Sequence, residues 1–141
     1  METLKITESS LVNEENILTR YSFATTYFDS TLKIVGVVWH GTFKTEDYIQ
    51  LFDKIFEDIQ GKNPIGFYSD IRKQGVVPVE ARKYFENVCS PKGTAMGMNK
   101  TGVVTDASPF KKYYLNTVIK MTKRPVKLTS NPVEALEFIL S

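Results

Sequence analysis

Cysteine and histidine are almost absent: Cys89 and His40 are the only ones in 141 residues. A single cysteine excludes an intrachain disulfide, which fits a reducing compartment. One cysteine and one histidine also cannot supply a closed four-ligand zinc site of the common type. No apolar run approaches the ~18 residues that a membrane-spanning helix needs. The opening Met1-Glu2-Thr3-Leu4-Lys5 lacks a basic stretch followed by an apolar core, so no signal peptide is expected. The expectation is a soluble cytoplasmic protein. Glycines are scattered, and Gly93, Gly97 and Gly102 do not follow a strand and open a helix. A phosphate-cradling loop of the Walker or dinucleotide type is therefore excluded.

What is present is the composition of one globular domain. Hydrophobic residues make up 42% and charged residues 24%. A chain of this length buries about 70% of the surface its unfolded form exposes, so it needs no covalent staple. The net charge is only +2, but residues 1–60 carry ten acids against five bases, net −5. Residues 100–127 carry Lys100, Lys111, Lys112, Lys120, Lys123, Arg124 and Lys127 against Asp106 alone, net +6. Such asymmetry suits an acidic partner or a second copy's acidic half, or is simply a solvated basic face. Tyr113 and Tyr114 beside these lysines invite a nucleic-acid reading. The small net charge and the lack of a binding motif argue against it.

Pattern then fixes an order of elements. Residues 1–17 are polar and aperiodic and read as a lead-in segment to a single domain over 18–141. Tyr21, Phe23, Thr25, Thr26, Tyr27 and Phe28 make a strand near 20–28, Asp29-Ser30 a turn, and residues 31–40 a second strand. The near-continuous apolar run Ile34-Val35-Gly36-Val37-Val38-Trp39 marks a central strand covered on both faces. Thr45 caps a helix over 46–60 carrying Ile49, Phe52, Phe56 and Ile59 at helical spacing, with Gly61 behind it. A strand near 65–71 follows. Pro78 opens a helix over 78–89 with the stripe Ala81, Tyr84, Phe85, Val88, and Ser90-Pro91-Lys92-Gly93 breaks it. A strand near 101–106, a helix over 109–121 and a short strand over 126–128 come next. Ser130 or Asn131 caps a last helix over 132–140, with Ala135, Leu136, Ile139 and Leu140 inward. The fold class is therefore α/β: a mixed five-stranded sheet with an N-terminal antiparallel hairpin and about four helices, its strand–helix–strand units crossing right-handedly. The core should hold Val37, Phe52, Ile59, Phe67, Phe85, Val103, Val118 and Leu136.

No catalytic constellation accompanies this order. His40 follows Trp39 at a strand end with no nucleophile or orienting carboxylate nearby, and reads as a partly buried strand-end residue. Cys89 lies near a helix C-terminus, where a low thiol pKa is not favoured. In open α/β sheets ligands collect beyond the carboxyl ends of the parallel strands. That rim carries Thr42, Asp70, Arg72, Asp106, Ser108, Ser130 and Asn131. Asp and Ser there close turns and cap helices, or contact a ligand or partner; Asp70 with Asp106 could hold a divalent ion.

The segments Val37-Val38-Trp39-His40-Gly41 and Tyr68-Ser69-Asp70-Ile71-Arg72-Lys73-Gln74-Gly75, with the closing Asn131-Pro132-Val133-Glu134-Ala135-Leu136-Glu137-Phe138-Ile139-Leu140, resemble the SpoIIAA-like branch of the STAS superfamily. The resemblance covers about residues 18–140. It implies helices packed mainly on one face of the sheet and a non-enzymatic, often homodimeric, regulatory or protein-binding role. In STAS anti-sigma-factor antagonists a serine at the start of the helix after the third strand is phosphorylated. Here no Ser or Thr stands between Ser69 and Ser90, so that switch does not carry over. The expected contact surface is the loop and helix start that take the place of that switch: Asp70, Arg72, Lys73, Gly75 and Val77, joined by Asp106 and Ser108 at the neighbouring strand end. The expected partner is an unidentified protein or a second copy, with no cofactor, nucleic acid or membrane span. The alternative is a carrier or sensor of a small apolar or anionic ligand, with a cleft between helices and sheet.

Overall fold

The carboxyl ends of four parallel strands form one rim of the molecule. In the computed structural model, which describes residues 5–106 and 125–141, six strands pair in chain order. They are β1 (Ile17–Arg20), β2 (Ala24–Asp29), β3 (Ile34–Trp39), β4 (Gly66–Asp70), β5 (Lys100–Val104) and β6 (Val126–Thr129). The first two junctions are antiparallel, and β3 through β6 run parallel. The described helices are α1 (Thr45–Asp58), α2 (Val79–Tyr84) running through a π turn (Phe85–Cys89) into α3 (Ser90–Ala95), and α4 (Pro132–Leu140).

The sheet buries both faces, as the apolar run of β3 anticipates. On the first face Val35, Val37, Trp39, Phe67 and Val103 pack under α1 and the α2–α3 helix. The amphipathic stripe of α1 delivers Tyr48, Leu51, Phe52, Ile55 and Phe56 to them. Ring contacts link Trp39 to Phe23, Phe43, Tyr48 and Phe52 at centroid distances of 5.1–6.4 Å. The indole Nε1 of Trp39 donates to Ser69 Oγ at 3.1 Å, satisfying the one polar atom this ring carries into the core.

The second face is covered by α4 and by residues 7–16, a strap built of two short 3-10 turns. Both sit on a single row across the sheet, in which the register sets Tyr27 beside Gly36, Gly36 beside Tyr68 and Tyr68 beside Gly102. Gly36 is a notch between the two tyrosines, and Gly102 a second notch beyond Tyr68. A Cβ at position 36 would lie 2.7 Å from Leu11 Cδ2, and one at position 102 would lie 2.5 Å from the Ala135 carbonyl oxygen. Leu11 fills the first notch and the α4 backbone the second.

Several expectations need correction. The sheet has six strands rather than five, because residues 17–28 form two strands separated by Tyr21-Ser22-Phe23. The β2–β3 connection is longer than Asp29-Ser30: the Asp29 carboxylate accepts from the Thr31 and Leu32 amides at 3.1 and 2.7 Å, and Lys33 takes φ 58° before β3 begins. Among the described residues α1 and the α2–α3 helix stand on the first face and α4 on the second. The second helix does not stop at 89. The Ser90 amide donates five residues back to the Phe85 carbonyl, and the helix runs on through Pro91 to Ala95. Proline lacks an amide and crowds the preceding turn, and the widened π turn accommodates it. That turn also rotates the apolar stripe. Ala81, half-buried Phe85 and Cys89 face inward at four-residue steps, and Val88 turns out to 41% exposure. Leu140 likewise points outward, while Ala135, Leu136 and Ile139 are buried. Val37, Phe52, Ile59, Phe67, Val103 and Leu136 are buried as expected. The expected helix over 109–121, with Val118, lies outside the described residues.

Two substitutions probe the two faces. Phe52→Ala should cost roughly 3–5 kcal/mol in a urea unfolding titration, because a ring in contact with Trp39, Tyr48, Phe67 and Phe85 is removed. Gly102→Ala should cost about 1–3 kcal/mol in the same measurement, because α4 must lift off β5 to admit one methyl group.

Candidate functional site

β4 ends in a buried carboxylate. Tyr68 and Asp70 alternate onto the second face and Phe67 and Ser69 onto the first, so Asp70 emerges at the rim beneath the strap. Its side chain is only 5% exposed. Two residues on, Arg72 folds back over it. Asp70 Oδ1 accepts from the Arg72 amide at 3.1 Å and from Nε at 3.0 Å, and Oδ2 accepts from an Arg72 terminal nitrogen at 2.6 Å. This is the two-pronged geometry in which Arg–carboxylate pairs are strongest. The same guanidinium reaches Glu8 Oε1 of the strap at 3.5 Å.

The loop that follows is pinned rather than loose. The Ile71 amide donates to the Val104 carbonyl at 2.8 Å, extending the β4–β5 ladder past the strand end. The Gln74 amide donates to the Ile71 carbonyl, and the Gly75 amide donates to the Gly41 carbonyl at 3.1 Å, tying the loop to the end of β3. Val77 packs half-buried on the first-face core, while Val76 is 85% and Val79 53% exposed. Lys73 is exposed beside them. Asp106, half-buried, lies just past the end of β5, the neighbouring strand. Ser108 lies outside the described residues. Thus Asp70 and Arg72 touch, and Lys73, Gly75 and Val77 share their loop.

Of the other rim residues, Asn131 serves the backbone. Asn131 caps α4 by accepting from the Val133 amide at 2.9 Å, and Thr129 Oγ1 accepts from the Asn131 amide. Asp70 directs both carboxylate oxygens at Arg72, which leaves little for the divalent-ion reading. Among the described residues no three His, Cys, Asp or Glu side chains cluster closely enough to hold a metal. His40 is exposed, not partly buried: it lies just past the end of β3, held there by its amide, which donates to the Phe23 carbonyl at 2.8 Å. Between α1, the α2–α3 helix and the sheet there is a cavity of about 20 Å³, walled by Phe52, Phe56, Phe67, Phe85, Cys89 and Met98.

Three residues at this rim escape a reading of the sequence: Glu8, Leu11 and Tyr68. Glu8 and Arg72 are 64 residues apart, so no local pattern joins them. Tyr68 is fully buried, and its hydroxyl has no hydrogen-bond partner among the described residues. Burial, then the charges of Asp70 and Glu8, push its pKa up and keep it protonated. The alternation that puts Tyr68 on the same face as Asp70 is the signal that points to it.

Cys89 is 3% exposed, and burial, with the nearby Asp53 charge, pushes its thiol from 9.0 up to about 12, against the opposing effect of Lys92. A thiol so held is not a nucleophile near neutral pH. The raised pKa means the folded state holds the proton more tightly. Its stabilising effect is full below pH 9.0 and is lost as the pH rises through about 12. Native Cys89 should react with an aromatic disulfide reagent at pH 8 on the order of a hundredfold more slowly than the urea-unfolded chain. Cys89→Ser should remove part of the alkaline loss of stability.

No protein-family model matches the chain, and no curated protein matches it. Among solved structures, the chain is similar to the crystal structure of an uncharacterised DUF3478-family protein from Shewanella loihica PV-4 that has a SpoIIAA-like fold. The match has a TM-score of 0.58 at 14% identity, over 75% of this chain and 83% of that one. The chain thus adopts a SpoIIAA-like fold.

Proposed function

We propose that this chain is a non-enzymatic, STAS-like interaction domain of the cytoplasm that binds a protein partner constitutively through residues 70–79. The observation that carries this reading is the exposure of Val76 and Val79 on a pinned loop. Exposed β-branched side chains on a rigid segment lose little freedom on docking, which favours a protein contact. Lys73 and the outer edge of Arg72 give the patch a basic border, and Asp106 borders it on the β5 side. With no Ser or Thr between Ser69 and Ser90, phosphorylation of this loop cannot reverse the contact. A partner of this kind is a different protein or a second copy of the chain.

The carrier reading has less support. A small-molecule pocket usually offers about 300 Å³ or more. Among the described residues, the space between α1, the α2–α3 helix and the sheet is a cavity of about 20 Å³, room for about one water molecule. A larger hollow among the described residues, about 470 Å³, is an open depression at the opposite end of the sheet beside Glu15, Phe28 and Lys62.

The contact can be mapped with a photo-crosslinking amino acid placed at Lys73 in cells, and with the same probe at Ile65 as a control on the far rim. A defined adduct from position 73 and none from position 65 is expected. Val76→Asp with Val79→Asp should remove at least about nine-tenths of it, since a charge then enters the apolar centre of the contact. Both positions are exposed, so thermal stability should be unchanged. Adducts of equal yield in the folded double variant would mean that the loop only connects β4 to α2.

A further inference from the structure

We propose that residues 7–16 are an intramolecular stand-in for a partner segment, with Leu11 occupying a docking notch on the second face of the sheet. The occupant that notch fits is an acidic, leucine-bearing segment, with a carboxylate three residues before the leucine. This surface lies on the face opposite α1 and shares Arg72 with the 70–79 loop; its test reads the Gly36 notch and leaves Val76 and Val79 unchanged.

The notch is built by the sheet, not by the strap. Its floor is Gly36, and its walls are Tyr27 and Tyr68, the register neighbours of Gly36 on either side. Leu11 enters it completely, at 0% exposure. The rest of the strap is held by polar ties. Glu8 meets Arg72 at 3.5 Å, with both side chains more than a third exposed. Asn16 Nδ2 donates to the Leu11 carbonyl and to Asp29 Oδ1, each at 3.0 Å. Within the strap the Leu11 and Val12 amides donate to the Glu8 carbonyl, so acid and leucine are set three residues apart by a single turn. Ile6 and Val12 add only partly buried surface.

Two features make this arrangement displaceable. Isolated 3-10 turns of three residues carry little stability of their own. Closure also leaves the Tyr68 hydroxyl buried with no hydrogen-bond partner among the described residues, beneath the strap and within the electrostatic reach of Glu8 and Asp70. A buried polar group without a partner opposes the state that buries it. An incoming segment that supplies the leucine, the carboxylate for Arg72 and one polar group for Tyr68 would satisfy all three, where the strap satisfies two. The complementarity is specific: a guanidinium at the rim, an apolar notch at Gly36, and the buried hydroxyl of the tyrosine that walls that notch.

The test uses the full chain and a synthetic peptide of residues 5–16 as the probe. In the wild type the strap fills the notch, so apparent affinity falls by the fraction of molecules that are open. Leu11→Ser should lift the strap and bind the peptide at least about tenfold more tightly than the wild type does. The peptide carrying Leu11→Ser should not bind. Adding Gly36→Ala to Leu11→Ser should weaken the binding, because its Cβ would lie 2.7 Å from the position that Leu11 Cδ2 takes. Failure of folded Leu11→Ser protein to bind, or equal binding by the Leu11→Ser and Gly36→Ala double variant, overturns the proposal. Should Leu11→Ser not fold, hydrogen exchange on the wild type decides. The Leu11 and Val12 amides should exchange faster than the β4 amides, by a local opening; exchange in one event with β4 would make the strap an inseparable part of the core.

Discussion

The second face of this sheet depends on one steric constraint: the alternation Tyr27, Gly36, Tyr68, Gly102 across four adjacent strands. A flat row of large side chains would hold any covering element well above the sheet. Alternating large and small residues instead cuts two notches, and each covering element is shaped to one of them. The α4 backbone descends onto β5 at Gly102, near the Ala135 carbonyl, and Leu11 descends onto β3 at Gly36. Tyr68 stands between them as the shared wall, which is why it is fully buried and why its hydroxyl is hard to satisfy.

The first face solves the same packing problem by a different route. There β3, β4 and β5 present Val35, Val37, Trp39, Phe67 and Val103, and α1 answers with aromatic rings of its own. The α2–α3 helix must run past Pro91 to cover Met98 and the ends of the strands. It does so by widening into a π turn, which costs one regular turn and gains inward positions for Cys89 and Gly93. Lys92, on the next turn, reaches back over the Phe56 ring at 4.8 Å. Both faces are therefore closed by elements whose local irregularity is demanded by a particular residue: Pro91 on one side, Gly36 on the other.

These irregularities also mark where the sequence was legible and where it was not. Elements with a clean pattern read out directly: α1 from Phe52, Phe56 and its neighbours, though Lys44 and not Thr45 takes the N-cap position, its amide donating to Asp47, α4 from Asn131-Pro132, and β3 from its apolar run. The π turn did not, because Ala81, Phe85 and Cys89 step by four residues while an α-helical stripe carried the reading to Val88. β1 was missed because Ile17-Leu18-Thr19-Arg20 is short and bulged, and its burial is only partial. At the rim, the 70–79 loop was recognisable from its place after a strand and before a helix. The Asp70–Arg72 fork was half visible, as an acid and a base two residues apart. Glu8, Leu11 and Tyr68 were not, since their meeting depends on strap and sheet arriving at one place from distant parts of the chain.

Arg72 is where the two surfaces join, and two of its ties differ sharply in strength. Its pair with Asp70 is two-pronged, short and largely withdrawn from water, with the Asp70 side chain 5% exposed. Its pair with Glu8 is a single contact at 3.5 Å, with Glu8 46% and Arg72 39% exposed. Exposed pairs of the second kind contribute about 0–1 kcal/mol and weaken with salt. Removing a partner from the first kind leaves a buried carboxylate uncompensated. The strap can therefore leave Arg72 without unmaking the fork that shapes the 70–79 loop. Arg72 stays in place, already oriented by Asp70, and presents its outer edge to whichever carboxylate replaces Glu8.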